Sequence, residues 1–308
     1  MNKTVRDKTS LILSSYLSPL EDQTYWVDSV FDHGINLISK KTDGPHQLIY
    51  LSGVNQLKAS VLGIQIENKS LFDQMMQKLK PGEQIRQCKD TWCLYTRPIP
   101  FEIKLIDYQQ YSCLLPDYSL NLTVDFLQDM IDLLEQAQIY EQSAFNQLPA
   151  LKHYYQNLLT ESFQSQVVNH SNGMVELVQF LFGKGLGLTP SGDDFLQGML
   201  VLEQVTLFNQ NRLPQFNQSF GRLPDLVKQQ MQITTTTKVS QAYYHALFDR
   251  QVNPVWLKFI KAIKEHSPEQ LIQSIRLIQT YGHTSGNDML LGAQFYLQII
   301  KKSLKGEV

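Results

Sequence analysis

The spacing of apolar and polar positions changes its period once along the chain, near residue 118. From Tyr25 to about Leu115 the apolar residues come in short β-prone runs: Ser29–Ile38, Gln47–Leu51, Val61–Ile66, Ile85–Lys89, Thr91–Thr96 and Phe101–Asp107. Asp43-Gly44-Pro45 and Pro81-Gly82 are turn signals between them. Ser70–Leu79 breaks the pattern and predicts a helix, with Leu71, Phe72, Met75, Met76 and Leu79 apolar. Residues 1 to about 20 predict a short amphipathic helix. Together these runs predict a β-rich domain over 1–118, a small barrel or a sandwich with one helix.

From Leu120 onward the period is helical, which predicts an all-α domain over 119–308 and an α+β chain overall. Thr123 to Tyr140 sets Val124, Leu127, Ile131, Leu134 and Ala137 on one stripe. Leu148–Phe163 and Met174–Phe182 follow. Phe195–Leu207 is apolar nearly all round, which predicts a central, buried helix. The polar stretch Asn209–Pro224 predicts a surface loop. Three further helices have legible starts, at Thr237, at Asn253-Pro254 and at the capping box Ser267-Pro-Glu-Gln270. A last helix is expected over about Asn287–Lys302.

Two of these helices begin alike. Phe182-Gly-Lys-Gly-Leu-Gly-Leu-Thr-Pro-Ser-Gly-Asp-Asp-Phe-Leu-Gln-Gly198 predicts helix, glycine loop, helix. Gly183, Gly185 and Gly187 allow positive φ angles there. Thr189 and Ser191 are candidate N-caps, and Asp193 and Asp194 fall where a helix start favours negative charge. Thr284-Ser-Gly-Asn-Asp-Met-Leu-Leu-Gly-Ala293 is a partial copy, with Ser285 lying 285 − 191 = 94 residues after Ser191. In each copy an Asp precedes a Gly by four residues (Asp194 and Gly198, Asp288 and Gly292), so both lie on one helix face. This spacing predicts that the two helices pack about a pseudo-twofold axis with Gly198 and Gly292 near the crossing.

Composition narrows the function classes. The net charge of −2 offers no general nucleic-acid surface, and no apolar run approaches the length of a membrane span. Leu11-Ile-Leu13 is too short and broken for a signal peptide. Cys88, Cys93 and Cys113 show no metal-site or disulfide spacing, so reduced thiols in a cytoplasmic protein are expected. No Walker A loop, GxGxxG, GxSxG or HExxH motif is present.

The chemistry therefore falls to the two loops. Free N–H groups at a glycine-rich helix start converge on anions. The candidate ligand-binding set is Gly185, Gly187, Thr189, Ser191 and Gly192 on the first loop and Ser285 and Gly286 on the second, with Thr236 and Thr237 supplying hydroxyls from the threonine run. Asp194, Asp193 and Asp288 are the candidate catalytic carboxylates, and His283 a candidate acid or base. Adjacent carboxylates repel a bare phosphate. They fit a bridging divalent cation such as magnesium, a proton on one Asp, or a ligand with amide N–H groups, as a carbamoyl or ureido compound has. The alternative is structural: Asp caps and close-packing glycines, with His283 a hydrogen-bonded bystander and the threonines as caps. His33 and Asn36 are explained by a turn as well as by a site, and His245 is expected to be packed among Tyr243, Tyr244 and Phe248.

The segments Gly183 to Gly198, Thr236-Thr-Lys-Val-Ser240 and Gly282-His-Thr-Ser-Gly-Asn-Asp-Met-Leu-Leu-Gly292 resemble the bacterial family that contains the AllH-type subunit of oxamate carbamoyltransferase. The match covers one half of the chain and departs from the usual pattern at Lys184 and Leu186. The resemblance implies a part in allantoin degradation, where oxalurate and phosphate give oxamate and carbamoyl phosphate. It also implies other subunits as partners and a small anion (carbamoyl phosphate, oxamate or oxalurate) as ligand. Thr189-Pro-Ser-Gly-Asp-Asp-Phe-Leu-Gln-Gly198 is locally similar to the anion hole of ribokinase-like sugar kinases, which would make the chain a phosphotransferase with Asp194 as base. Those kinases need alternating strands and helices around the motif, whereas helices are expected on both sides here. A non-catalytic complex subunit is the third reading.

Overall fold

In a computed structural model the described residues are 6–17, 22–39, 47–54, 59–96, 100–118, 120–169, 171–206 and 223–305. The chain divides into two compact units, one of residues 1–114 with Gln251–Pro254, the other of 115–250 with 255–308.

The first unit is a closed eight-stranded barrel, which decides between the barrel and sandwich alternatives. Its strands are β1 (Arg6–Ser14), β2 (Thr24–Phe31), β3 (Gly34–Ser39), β4 (Gln47–Gly53), β5 (Gly63–Ile66), β6 (Gln84–Cys88), β7 (Thr91–Leu94) and β8 (Phe101–Tyr111). They run in the order β1-β5-β4-β3-β2-β6-β7-β8, with β1 closing in parallel on β8. Residues two apart fill the interior: Leu11 and Leu13, Tyr25 and Val27, Ile35 and Leu37, Ile49 and Leu51, Ile64 and Ile66, Trp92 and Leu94, Phe101 and Ile103. That is the alternation a small filled barrel needs. Helix α1 (Lys69–Lys78) adds Leu71, Phe72 and Met75 to the same core, and Asn68 caps it by accepting the Leu71 N–H.

Two expectations in this unit are corrected. The N-terminal helix is strand β1, because its Leu11 and Leu13 point inward together and its backbone pairs on both sides, with β5 and β8. Tertiary pairing overrides the weak local preference. The single run Ser29–Ile38 is a hairpin, folded between Phe31 and Gly34 at Asp32-His33, with His33 exposed and Asn36 buried on β3. Asp43-Gly44-Pro45 lies outside the described residues.

The second unit is helical: α2 (Val124–Gln136), α3 (Ala144–Gln147), α4 (Pro149–Leu158), α5 (Glu161–Asn169), α6 (Ser171–Leu181), α7 (Ser191–Thr206), α8 (Leu223–Ile233), α9 (Lys238–Phe248), α10 (Pro254–Lys264), α11 (Pro268–Gln279) and α12 (Ser285–Leu304). With the barrel, this makes the chain α+β. Helix α2 stops four residues short of Tyr140, where Gln138 takes a φ of 53°. The long run from Leu148 is two helices, because the Thr160 hydroxyl accepts the Phe163 N–H and starts α5. Nearly all of the Asn209–Pro224 stretch lies outside the described residues. Every one of the 16 residues of α7 is buried, as its apolar circumference predicts.

Candidate functional site

Helices α7 and α12 are the core of the helical unit, and glycine lets them touch backbone to backbone. A Cβ on Gly198 would fall 2.8 Å from the carbonyl carbon of Met289 and closer still to its oxygen. A Cβ on Gly292 would fall 2.7 Å from the carbonyl carbon of Phe195. The two contacts are images of each other, since 289 − 195 = 94 and 292 − 198 = 94. The expected pseudo-twofold crossing is present.

The symmetry extends into the loops, with one difference. Lys184 N–H bonds Leu181 O at 2.9 Å, and Tyr281 N–H bonds Ile278 O at 2.9 Å. Gly192 N–H then bonds Lys184 O at 2.8 Å, and Gly286 N–H bonds Tyr281 O at 2.9 Å. Before the loops the offset is 278 − 181 = 97 and after them 286 − 192 = 94, so the first loop is three residues longer. The extra length is the glycine-rich stretch. Gly185 and Gly187 have φ of 120° and 95°, which only glycine adopts without strain. This longer loop stands out into solvent, with Leu186 77% and Leu188 46% exposed.

The three carboxylates lie beneath the loops, Asp193 and Asp288 fully buried and Asp194 2% exposed. Asp193 anchors the first loop. Its Oδ1 accepts from the Gly183 N–H at 2.8 Å and from the Tyr244 hydroxyl at 3.0 Å, and its Oδ2 from the Thr236 hydroxyl. Asp288 Oδ1 accepts the Ala144 N–H at 2.9 Å, so α12 caps the start of α3. Asp194 Oδ2 accepts from the Thr189 hydroxyl at 3.1 Å, and Thr189 meets the Ser285 hydroxyl at 3.1 Å.

Ser285 of the second loop thus joins the Asp194 group of the first through Thr189, whereas Asp288 Oδ2 is buried with no hydrogen-bond partner among the described residues. Thr237 ties the threonine run in, donating to Leu188 O while accepting the Ser240 N–H as the cap of α9. Thr189 therefore donates to a side chain and does not cap α7.

Electrostatics follow from burial. Desolvation raises all three carboxyls, since the charged form loses water. Burial pushes Asp288 up to about 6, although its Oδ1 accepts the Ala144 N–H. Asp194 rises well above the ordinary carboxylate range, by burial first and the Asp288 charge second. Among the described residues no group of three or more His, Cys, Asp or Glu is placed to hold a metal ion.

The structure thus brings together Gly185, Ser191, Gly192, Thr189, Thr236, Thr237, Ser285 and Gly286 around Asp193, Asp194 and Asp288. Gly187 is exposed on the loop, and a Cβ there would meet nothing within 4 Å. His283 is exposed on the second loop. His245 is also exposed, correcting its expected packing, with its ring edge-on to Phe248. Sequence reasoning missed Tyr244 and Ala144. A buried tyrosine needs a partner for its hydroxyl, which was the one available signal for Tyr244. Ala144 carries none, because its role lies in a backbone N–H.

These features define a barrel-plus-helical protein whose helical unit is built on a duplicated helix–loop–helix with a carboxylate core. Residues 181–297 match the model of a family described as oxamate carbamoyltransferase subunit AllH, so the resemblance carried by the two loops is borne out over that segment. No curated protein and no solved structure matches the chain. Among the described residues no helix is long and apolar enough to cross a membrane.

Proposed function

We propose that the chain is a cytoplasmic subunit of a carbamoyltransferase-type complex that converts oxalurate and phosphate to oxamate and carbamoyl phosphate, and that its paired loops handle the anion. The observation that carries this reading is the extent of the family match, which runs from the end of α6 to within α12 and encloses both loops and the glycine crossing. The exposed backbone around Gly185 and Gly187, with the loop N–H groups, faces the phosphate or carboxylate end of the ligand. Asp193 holds this loop in shape through Gly183 and Thr236. In the reaction a phosphate oxygen attacks the ureido carbon, the C–N bond breaks, and the oxamate nitrogen takes a proton. Asp194 retains a proton more readily than an ordinary carboxyl, and the hydroxyls of Thr189 and Ser285, both half-buried, lead from it toward the loop surface. His283 is the titratable side chain that a ligand on the second loop meets first.

Burial of the carboxylates favours a second reading, a non-catalytic subunit in which they only lock the helix pair. Formation of carbamoyl phosphate from oxalurate and phosphate, by the chain purified with the products of its neighbouring genes, separates the two. The first reading expects Asp194→Asn to abolish turnover with the complex and its helical content intact. Full turnover by that variant, in an intact complex, leaves the second.

A further inference from the structure

Away from the loops, a cleft of ≈ 330 Å³ opens between the turn after α2, helix α4 and the middle of α12. Its wall carries two stacked tyrosines, Tyr140 and Tyr155, with ring centroids 5.1 Å apart and planes 17° from parallel. Glu135 and Glu141 stand at the rim, both exposed, and neither is in an ion pair among the described residues. No Lys, Arg or His lines the cleft. Gln298, which also lines it, carries a buried Oε1 with no hydrogen-bond partner among the described residues. Gln294, one turn earlier on α12, lines the cleft while only 4% exposed.

Each of these observations selects the same chemistry. Two carboxylates without a counter-charge set a negative potential, in line with the upward direction of the Tyr155 hydroxyl, raised by burial first and then by Tyr140, Glu135 and Glu141. A stacked aromatic pair offers a π face, which attracts cations. An unsatisfied buried carbonyl oxygen requires an N–H or O–H donor, because leaving it unpaired is costly. The volume is within the range of small-ligand sites.

The geometry points to a binding site for a small organic cation bearing N–H donors, of the guanidinium or ammonium class, seated on the Tyr140 face between Glu135 and Glu141, with the Gln298 amide turning its unpartnered oxygen out to a donor. Its sign is opposite to that of oxalurate or phosphate, so it is a second site, and it does not rest on the carbamoyltransferase reading.

Agmatine, a flexible guanidino amine, is a suitable probe, with N-butylurea as a neutral control of similar shape. In calorimetric titration of the full chain, agmatine is expected to bind and N-butylurea to bind at least tenfold more weakly. The double variant Glu135→Gln with Glu141→Gln, on exposed positions that leave the fold intact, should weaken agmatine at least tenfold. Tyr140→Leu should weaken it independently of the charges. No heat of binding at millimolar agmatine, equal affinity for N-butylurea, or an unchanged affinity in the double variant would each overturn the assignment.

Discussion

Asp193 and Asp288 are equally buried carboxylates, yet their surroundings give replacements of opposite sign. Asp288 titrates near 6 in the folded chain against 3.8 ordinarily. As pH rises from about 4 to 6 the unfolded chain releases this proton first, so stability falls across that window, by on the order of 3 kcal/mol, and stays lost above it. Asp288→Asn keeps an acceptor for the Ala144 N–H and removes the charge, which also relieves Asp194. The variant should melt at a higher temperature than the parent at pH 8 and at the same temperature at pH 4. Parallel melting curves across that range would mean that Asp288 is not the group responsible. At Asp193 both oxygens serve donors, so Asp193→Ala orphans the Gly183 N–H and the hydroxyls of Thr236 and Tyr244. A loss of about 3 kcal/mol or more is expected in urea unfolding. At this scale the sequence was legible where a residue's own type carried the message, as with the positive-φ glycines and the paired aspartates. It was silent on Tyr244 and Ala144, whose parts depend on chain brought in from 51 and 144 residues away.

Between elements, the α7–α12 pair was readable because two constraints, an Asp and a Gly four residues on, recur at one offset and leave few packings open. The three-residue difference between the loops was not, since it appears only when the flanking hydrogen bonds align the copies. Strand β1 was misread for a related reason: its period-two pattern is short, and the neighbours that make it a strand are β5 and the distant β8. The crossing makes a sharp prediction. At Gly198 and Gly292 the obstruction to a methyl group is a backbone carbonyl, which cannot swing aside as a side chain does. Gly198→Ala and Gly292→Ala should each force the helices apart, at about 3 kcal/mol. The double variant should lose less than the sum, because the first substitution already opens the contact that the second would break. Chemical denaturation of the four proteins measures this, and strict additivity would show that the two contacts are separate.

On the scale of the whole molecule, the period change near residue 118 announced two kinds of architecture, but nothing in it revealed that the barrel unit takes residues from far along the chain. Gln251–Pro254 belong to that unit. Leu114 and Gln251 form a β-bridge, the Val252 N–H bonds Cys113 O at 2.8 Å, and Asn253 Oδ1 accepts the Val61 N–H at 2.7 Å. Asn253, expected to cap α10, is spent on this bond instead. Val61 is buried, so its N–H has no water to fall back on when Asn253 is lost. Asn253→Ala should therefore destabilise the barrel by about 1–3 kcal/mol, and Asn253→Asp, which keeps an acceptor, by less. Fluorescence isolates the barrel once Trp256 is replaced by Phe, because the remaining tryptophans, Trp26 and Trp92, lie on β2 and β7. In that background a fragment ending at residue 114 lacks the bridge and both hydrogen bonds. Its urea midpoint should lie below that of the full chain by at least the shift that Asn253→Ala produces. Equal midpoints for fragment and full chain would show that the barrel is complete without its four distant residues.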